Sequence, residues 1–460
     1  MAVYDFDILV IGGGPGGYVA AIRAAKEGKN VCLAERANLG GVCLNEGCIP
    51  TKTLIKSANT LHEVRNAASF GITGIDPDSV SISMTTVQQR KKSVVQTLVG
   101  GVNGLLRGNK VTIMHGNAAF VDSHTVDIAG KKVSFAYCII ATGSSVMLPS
   151  FIKQEGKNTL LTSREALELD AVPASIAIIG GGVIGIEFAY LFSRLGSKVT
   201  VLELMEHILP MVDEDVSGLA GKHLEKEGVT FHMGAKVHTV KNNEVLFEKD
   251  GKQGSVKADC VLMAVGRVAN TDGLGAKEVG IVFEKAAIKT DSSLRTNIPH
   301  IYAIGDVNGK VMLAHTASHE GIVAIDAICG GHGQMDYAKI PSCIYLDPEI
   351  ACIGLTEKQA LAQGKTVKIG KFSMQANGKS LVEGDTSGLV KVILDAEFGE
   401  ILGVHLYGKH VTDMIAELSV AMTLEATAEE IIHSVHPHPT VSEALPEAFM
   451  AAYGKAIHCK

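Results

Sequence analysis

Tryptophan is absent from the 460 residues and aromatics make up only 5% of them, a supply too thin for a sheet sandwich. No uninterrupted apolar run reaches the ~18 residues that a membrane-spanning helix needs, so no membrane partner is expected. A net charge of −7 and the lack of any basic block argue against nucleic acid as a partner. No Cys-x-x-Cys occurs, so no second ligand pair exists to complete a zinc site, and no metal is expected. The first strand begins almost at Met1, which leaves no room for a signal or transit peptide. The nine cysteines are an odd number and mostly scattered. Cys32, Cys138, Cys260, Cys343 and Cys352 lie singly in apolar, strand-like runs and read as small buried hydrophobes. That usage fits a reducing, cytoplasmic compartment.

What the chain does have is glycine, 50 residues of it, and one close pair of cysteines. Cys43 and Cys48 stand five apart in GGVCLNEGCIPTK, ahead of a helix-compatible run from Thr51 to Leu61. A helix beginning there aims free N–H groups and its positive end at the loop, a field that favours thiolate. Lys52 adds a fixed positive charge. A structural disulfide across so short a loop would stabilise little, and half a metal site lacks its other half. The pattern predicts a redox-active dithiol.

Two dinucleotide fingerprints surround this segment. Phe6–Ile11 reads as a strand, Tyr18–Ala25 as a helix, and Gly12, Gly14 and Gly17 form G-x-G-x-x-G between them. Glu35, which ends the next strand, is placed to accept from ribose hydroxyls. The pattern repeats with the strand Ser175–Ile179, Gly180, Gly182 and Gly185, a helix from Ile186, and Glu203 ending the following strand. Two complete fingerprints predict two bound dinucleotides. The first runs straight into the dithiol and should hold a tightly bound redox carrier, FAD. The second should hold an exchangeable nicotinamide. Glu203 would repel a 2′-phosphate, and Leu204-Met205-Glu206 after it cannot clamp one, so NAD is expected over NADP.

With GGVCLNEGCIPTK, both fingerprints, a His-Pro-His-Pro segment near the end and matching motifs between, the sequence resembles the flavin-dependent disulfide reductases over essentially its whole length. The resemblance implies an α/β flavoprotein with two Rossmann-like dinucleotide-binding domains (FAD and NAD) and a C-terminal α+β dimerisation domain. It implies boundaries at 1–150 for FAD, 151–270 for NAD, 271–340 for a central domain completing the FAD site, and 341–460 for the interface. By resemblance, Gly116 makes a backbone contact near the adenine. Ala141, Thr142 and Gly143, from sequence alone only a strand-ending turn, touch the flavin nucleotide. Gly266 ends a matching strand of the second domain. Gly305 and Asp306 resemble the second FAD signature, with Asp306 on the ribityl chain, and Met312, Leu313, Ala314 and His315 lie under the pyrimidine edge. Lys52 falls near flavin N5 and pairs with Glu187, which on helical spacing alone is simply a polar residue in an apolar turn.

Beyond Pro341, strand-like segments are followed by helical ones, an α+β pattern without a nucleotide motif. Prolines at 437 and 439 stiffen the loop that carries His436 and His438. Glu443 is five residues beyond His438, near enough to orient one nitrogen of its ring and favour imidazolium. The resemblance makes His438 the general acid/base, Glu443 its partner, and His436 the histidine that is not the base. It also implies a homodimer and a dihydrolipoyl substrate. That group would arrive on the lipoyl domains of a 2-oxo acid dehydrogenase complex with its acyltransferase core, or on a glycine-cleavage lipoyl carrier protein. No N-terminal lipoyl domain of the kind that some family members carry is expected, so any lipoyl group would arrive on a partner. Glutathione-type relatives need basic residues after the second fingerprint. Mercuric-ion and large thioredoxin reductases need a second C-terminal redox pair, whereas Cys459 stands alone and reads as a tail thiol.

Overall fold

The computed structural model describes residues 4–458, so Cys459 lies outside the described residues. The apolar run Phe6–Ile11 becomes the centre of a seven-stranded sheet, flanked in parallel by Val31–Glu35 and Lys131–Ile140. Ile8, Leu9 and Val10 are fully buried there, as expected for a parallel strand covered on both faces. Thr112–His115 extends the sheet on one side, and the antiparallel pair Thr125–Ile128 and Ala118–Asp122 on the other.

The second unit repeats the plan, with Ser175–Ile179 between Lys198–Leu202 and Cys260–Met263, all parallel. The stretch 271–340 does not build a separate sandwich. Its strand Ile301–Ala303 pairs with Lys131–Ile140 in the first sheet. Its helix Ala314–Ile328 crosses the fingerprint helix Pro15–Lys26 closely enough that a Cβ on Gly16 would come 2.9 Å from the Ala317 carbonyl oxygen. Beyond residue 340, five antiparallel strands run in the order Ser342–Ile344, Glu349–Gly354, Ile401–Gly408, Leu389–Asp395, Val367–Ser373. The helices Val411–Thr423, Ala428–His433 and Ala444–Ala451 share a core with them, strands then helices as the pattern predicts.

One core joins the three units. Leu54, Ile55 and Ala58 of the helix after the dithiol pack with Ile186, Tyr190 and Leu191 of the second unit and with Ile344, Leu346 and Tyr407 of the third. Among the described residues no helix is long and apolar enough to cross a membrane, and no group of three or more metal-ligating side chains gathers.

Candidate active site

Cys43 lies in a short helix, Gly41–Asn45, and Cys48 opens the helix Cys48–Arg65. That helix starts three residues before the predicted Thr51, which puts Cys48 itself in the first turn, where backbone N–H groups are free. Both cysteines are free thiols, Cys43 half-buried and Cys48 exposed. The two are polarised in opposite directions. A hydrogen bond from the Cys43 thiol, aided by the Lys52 ammonium and opposed by desolvation, brings Cys48 down to about 7. The bond it donates, and then burial, push the Cys43 thiol well above its ordinary value. Lys52 Nζ donates to both Glu187 oxygens, at 2.8 and 2.7 Å, and stands 4.7 Å over the Tyr345 ring. Glu187 is buried and also accepts from the Tyr345 N–H at 3.1 Å.

The fingerprint glycines have two different reasons to be glycine. A Cβ on Gly12 would sit 2.3 Å from the Ala141 carbonyl oxygen, and one on Gly17 would sit 1.8 Å from that of Gly12. Packing of strand, turn and helix excludes them. Gly14 is different: its φ is −69°, and a Cβ would meet nothing nearer than 3.9 Å. The second fingerprint repeats the contrast, with Gly180 and Gly185 excluded at 2.4 and 2.0 Å and Gly182 open. Protein packing does not account for the middle glycines, and a dinucleotide pyrophosphate lying against them does. The residues present therefore fit the two cofactors.

Both acids brace their own loops. Glu35 accepts from Gly13 N at 2.6 Å and Ala37 N at 2.7 Å, while Glu203 accepts from Gly181 N and from Met205 N at 2.8 Å. Gly116, the Ala141–Gly143 turn and Gly266 follow the carboxyl ends of parallel strands, the edge where open α/β sheets bind ligands. Met312 and Leu313 lead into the helix that begins at Ala314, and His315 Nε2 stands 2.8 Å from the Pro341 carbonyl oxygen.

Asp306 sits in a short 3-10 turn after Ile301–Ala303 and accepts from the Ser144 hydroxyl. Reasoning from sequence missed what holds this turn. Glu320, fully buried, accepts from Gly305 N, from Asn308 Nδ2 at 3.0 Å and from the Tyr337 hydroxyl at 2.6 Å. An acid on the apolar phase of Ala314–Ile328 was the available signal. Arg267 and Ser144 were missed as well, and nothing local marks them.

His438 Nδ1 lies 2.9 Å from Glu443 Oε1, and Glu443 Oε2 accepts from Thr440 N at 2.9 Å. The Thr440 N–H first, then His438, hold the Glu443 carboxyl below the usual range. The His438 side chain is 78% exposed, which leaves Nε2 free. His436 is instead enclosed, with Nε2 2.9 Å from Glu417 Oε1 and Nδ1 3.0 Å from the Ser434 carbonyl oxygen.

Residues 6–321 match the family model of the pyridine nucleotide-disulphide oxidoreductases, and residues 340–449 match that family's dimerisation domain. The chain belongs to the pyridine nucleotide-disulphide oxidoreductases. Among the relatives of this oxidoreductase is a dihydrolipoyl dehydrogenase of Bacillus subtilis (strain 168), 41% identical over 457 residues that cover 98% of this chain and 99% of the other. Another, from Geobacillus stearothermophilus, is 42% identical over 472 residues, covering 100% and 99%. A solved structure of the HOCl-induced flavoprotein disulfide reductase RclA from Escherichia coli superposes with a TM-score of 0.84 at 28% identity, covering 96% of this oxidoreductase and 99% of that chain.

Proposed function

We propose that this oxidoreductase converts protein-bound dihydrolipoyl groups to lipoyl groups and reduces NAD+ to NADH. The observation that carries the proposal is the opposite polarisation of Cys43 and Cys48 beside the first fingerprint. The names of relatives above 40% identity support the substrate. In the oxidised enzyme the two sulfurs form a disulfide. Thiol–disulfide exchange expels the sulfur whose thiolate is more stable, so attack falls on Cys43 and Cys48 leaves. His438, oriented through Nδ1 by Glu443, takes the proton of the attacking substrate thiol on Nε2. The second substrate thiol, losing its own proton to solvent, then attacks the substrate sulfur of the mixed disulfide and displaces Cys43, which takes the proton held on His438. The substrate leaves as a disulfide, and the enzyme is left with the Cys43 thiol donating to the Cys48 thiolate. Bound FAD would supply the two-electron relay from this pair to the nicotinamide.

The FAD site comprises Gly12, Gly14 and Gly17 at the pyrophosphate, Glu35 at the ribose and Gly116 near the adenine. Ala141, Thr142 and Gly143 would meet the nucleotide, Gly305 and Asp306 the ribityl chain, and Met312, Leu313, Ala314 and His315 the ring edge. Gly180, Gly182, Gly185, Glu203 and Gly266 would hold NAD, and Lys52, paired with Glu187, would stand near the flavin. The implied partners are lipoyl domains of a 2-oxo acid dehydrogenase complex or of glycine cleavage, and the compartment is the cytoplasm. Steady-state turnover with dihydrolipoamide, glutathione disulfide and thioredoxin, each with NAD and NADP, tests the reading. Dihydrolipoamide with NAD+ should dominate; a preference for NADPH or for another disulfide would overturn it.

A further inference from the structure

The first and second units are joined by a ribbon of two short antiparallel strands, Ser144–Val146 and Arg267–Ala269. The ribbon is fastened at one end. Thr142 Oγ1 donates to the Asn270 carbonyl at 2.7 Å, and Asn270 Nδ2 donates to the Thr142 carbonyl at 3.0 Å. Ser144, only 2% exposed, donates its hydroxyl to Asp306 Oδ2. The same hydroxyl accepts from Arg267 Nε at 2.7 Å, while Arg267 Nη2 donates to the Ser144 carbonyl at 2.7 Å. Arg267 Nε stands 3.9 Å from Asp306 Oδ2.

The polarity of this chain of bonds is fixed. A guanidinium has no acceptor, so Arg267 occupies a lone pair of the hydroxyl and leaves its single proton for the carboxylate. Both contacts fall on Oδ2, which leaves Oδ1 for a ligand. The guanidinium fork also grips the Ser144 backbone and hydroxyl together, a grip that a lysine cannot reproduce.

We propose that Arg267 and Ser144 are positioning residues for FAD. They aim the Asp306 carboxylate at the ribityl hydroxyls, so retention of the first unit's cofactor depends on a side chain from the second. The inference rests on the reading of Asp306 as a ribityl ligand.

Equilibrium dialysis of the holoenzyme, read as retained flavin absorbance, tests both. Ser144→Ala and Arg267→Gln should each weaken FAD binding about tenfold, the scale of one hydrogen bond to a charged group. Arg267→Lys should restore only part of the loss. Ser144→Ala should add almost nothing once Asp306→Asn is present, whereas a general loosening of the fold would add independently. Wild-type retention in Ser144→Ala alongside flavin loss in Asp306→Asn would overturn the relay, as would full additivity in the double variant. Wild-type retention in Asp306→Asn would overturn the ribityl reading and the relay with it. Should Arg267→Gln fail to fold, Ser144→Ala and its double variant decide the matter alone.

Discussion

Cys48 titrates at about 7 first because a neighbouring thiol donates to it and then because Lys52 is close, so its thiolate fraction grows as pH rises through that value. Alkylation of Cys48 in the reduced protein, followed by peptide mapping, should rise with a midpoint near that pH. Cys43 should stay slow throughout. Cys43→Ala removes the donor and Lys52→Met removes the charge, so each should move the midpoint upward; a midpoint unchanged in both would refute this account. The sequence announced the dithiol and Lys52, and the family resemblance assigns Cys43 to exchange with substrate and Cys48 to the flavin. What the local pattern could not show is the bond from the Cys43 thiol to Cys48, which gives that division its physical cause. The fingerprint glycines make a second pair of predictions. Gly17→Ala drives a Cβ to 1.8 Å from a backbone oxygen and should cost about 1–3 kcal/mol or more in unfolding free energy. Gly14→Ala meets no protein atom within 3.9 Å and should melt like the wild-type apoprotein while losing flavin. Equal melting losses in the two variants would show that the middle glycine serves packing after all.

The helix Cys48–Arg65 is the element on which the chemistry turns, and its attachment is both apolar and ionic. Leu54, Ile55 and Ala58 bury it, and Lys52 ties its first turn to Glu187 on the helix Val183–Arg194. Glu187 also opposes the thiolate, since its negative charge pushes Cys48 up. Glu187→Gln should therefore act in two directions. It should destabilise the protein by about 2 kcal/mol, the scale of a partly buried charged hydrogen bond lost. It should also move the Cys48 alkylation midpoint below the wild-type value, because Lys52 is freed to act on the thiolate. A midpoint that rises would show the carboxylate positioning Lys52 rather than competing with Cys48 for it. Most elements were legible from local pattern, both fingerprint strands and their helices within a few residues. The return of Ile301–Ala303 to the first sheet was not, because its partner Lys131–Ile140 is far away in sequence. The same distance hid Ser144 and Arg267, whose roles exist only once residue 306 is beside them.

At the scale of the whole molecule, the dithiol and His438 occupy opposite ends of the sequence and lie in different units, the first and the last. The unit that carries His438 also exposes Leu381, Val382, Val420, Leu424 and Val435, apolar side chains that a partner surface would cover. Its family match is a dimerisation domain. A two-fold dimer would deliver each His438 to the other chain's dithiol and complete two sites at once. Cys48→Ala and His438→Gln chains should each be nearly inactive as homodimers. Unfolded and refolded together, they form mixed dimers in which one site keeps both residues and the other loses both. Random reassociation makes half the dimers mixed, each with one working site of two, so about a quarter of wild-type activity should return. If His438 served its own chain, every site in the mixture would still carry one lesion. Mixed dimers demonstrated by mass spectrometry, with no recovery of turnover, would exclude the shared site.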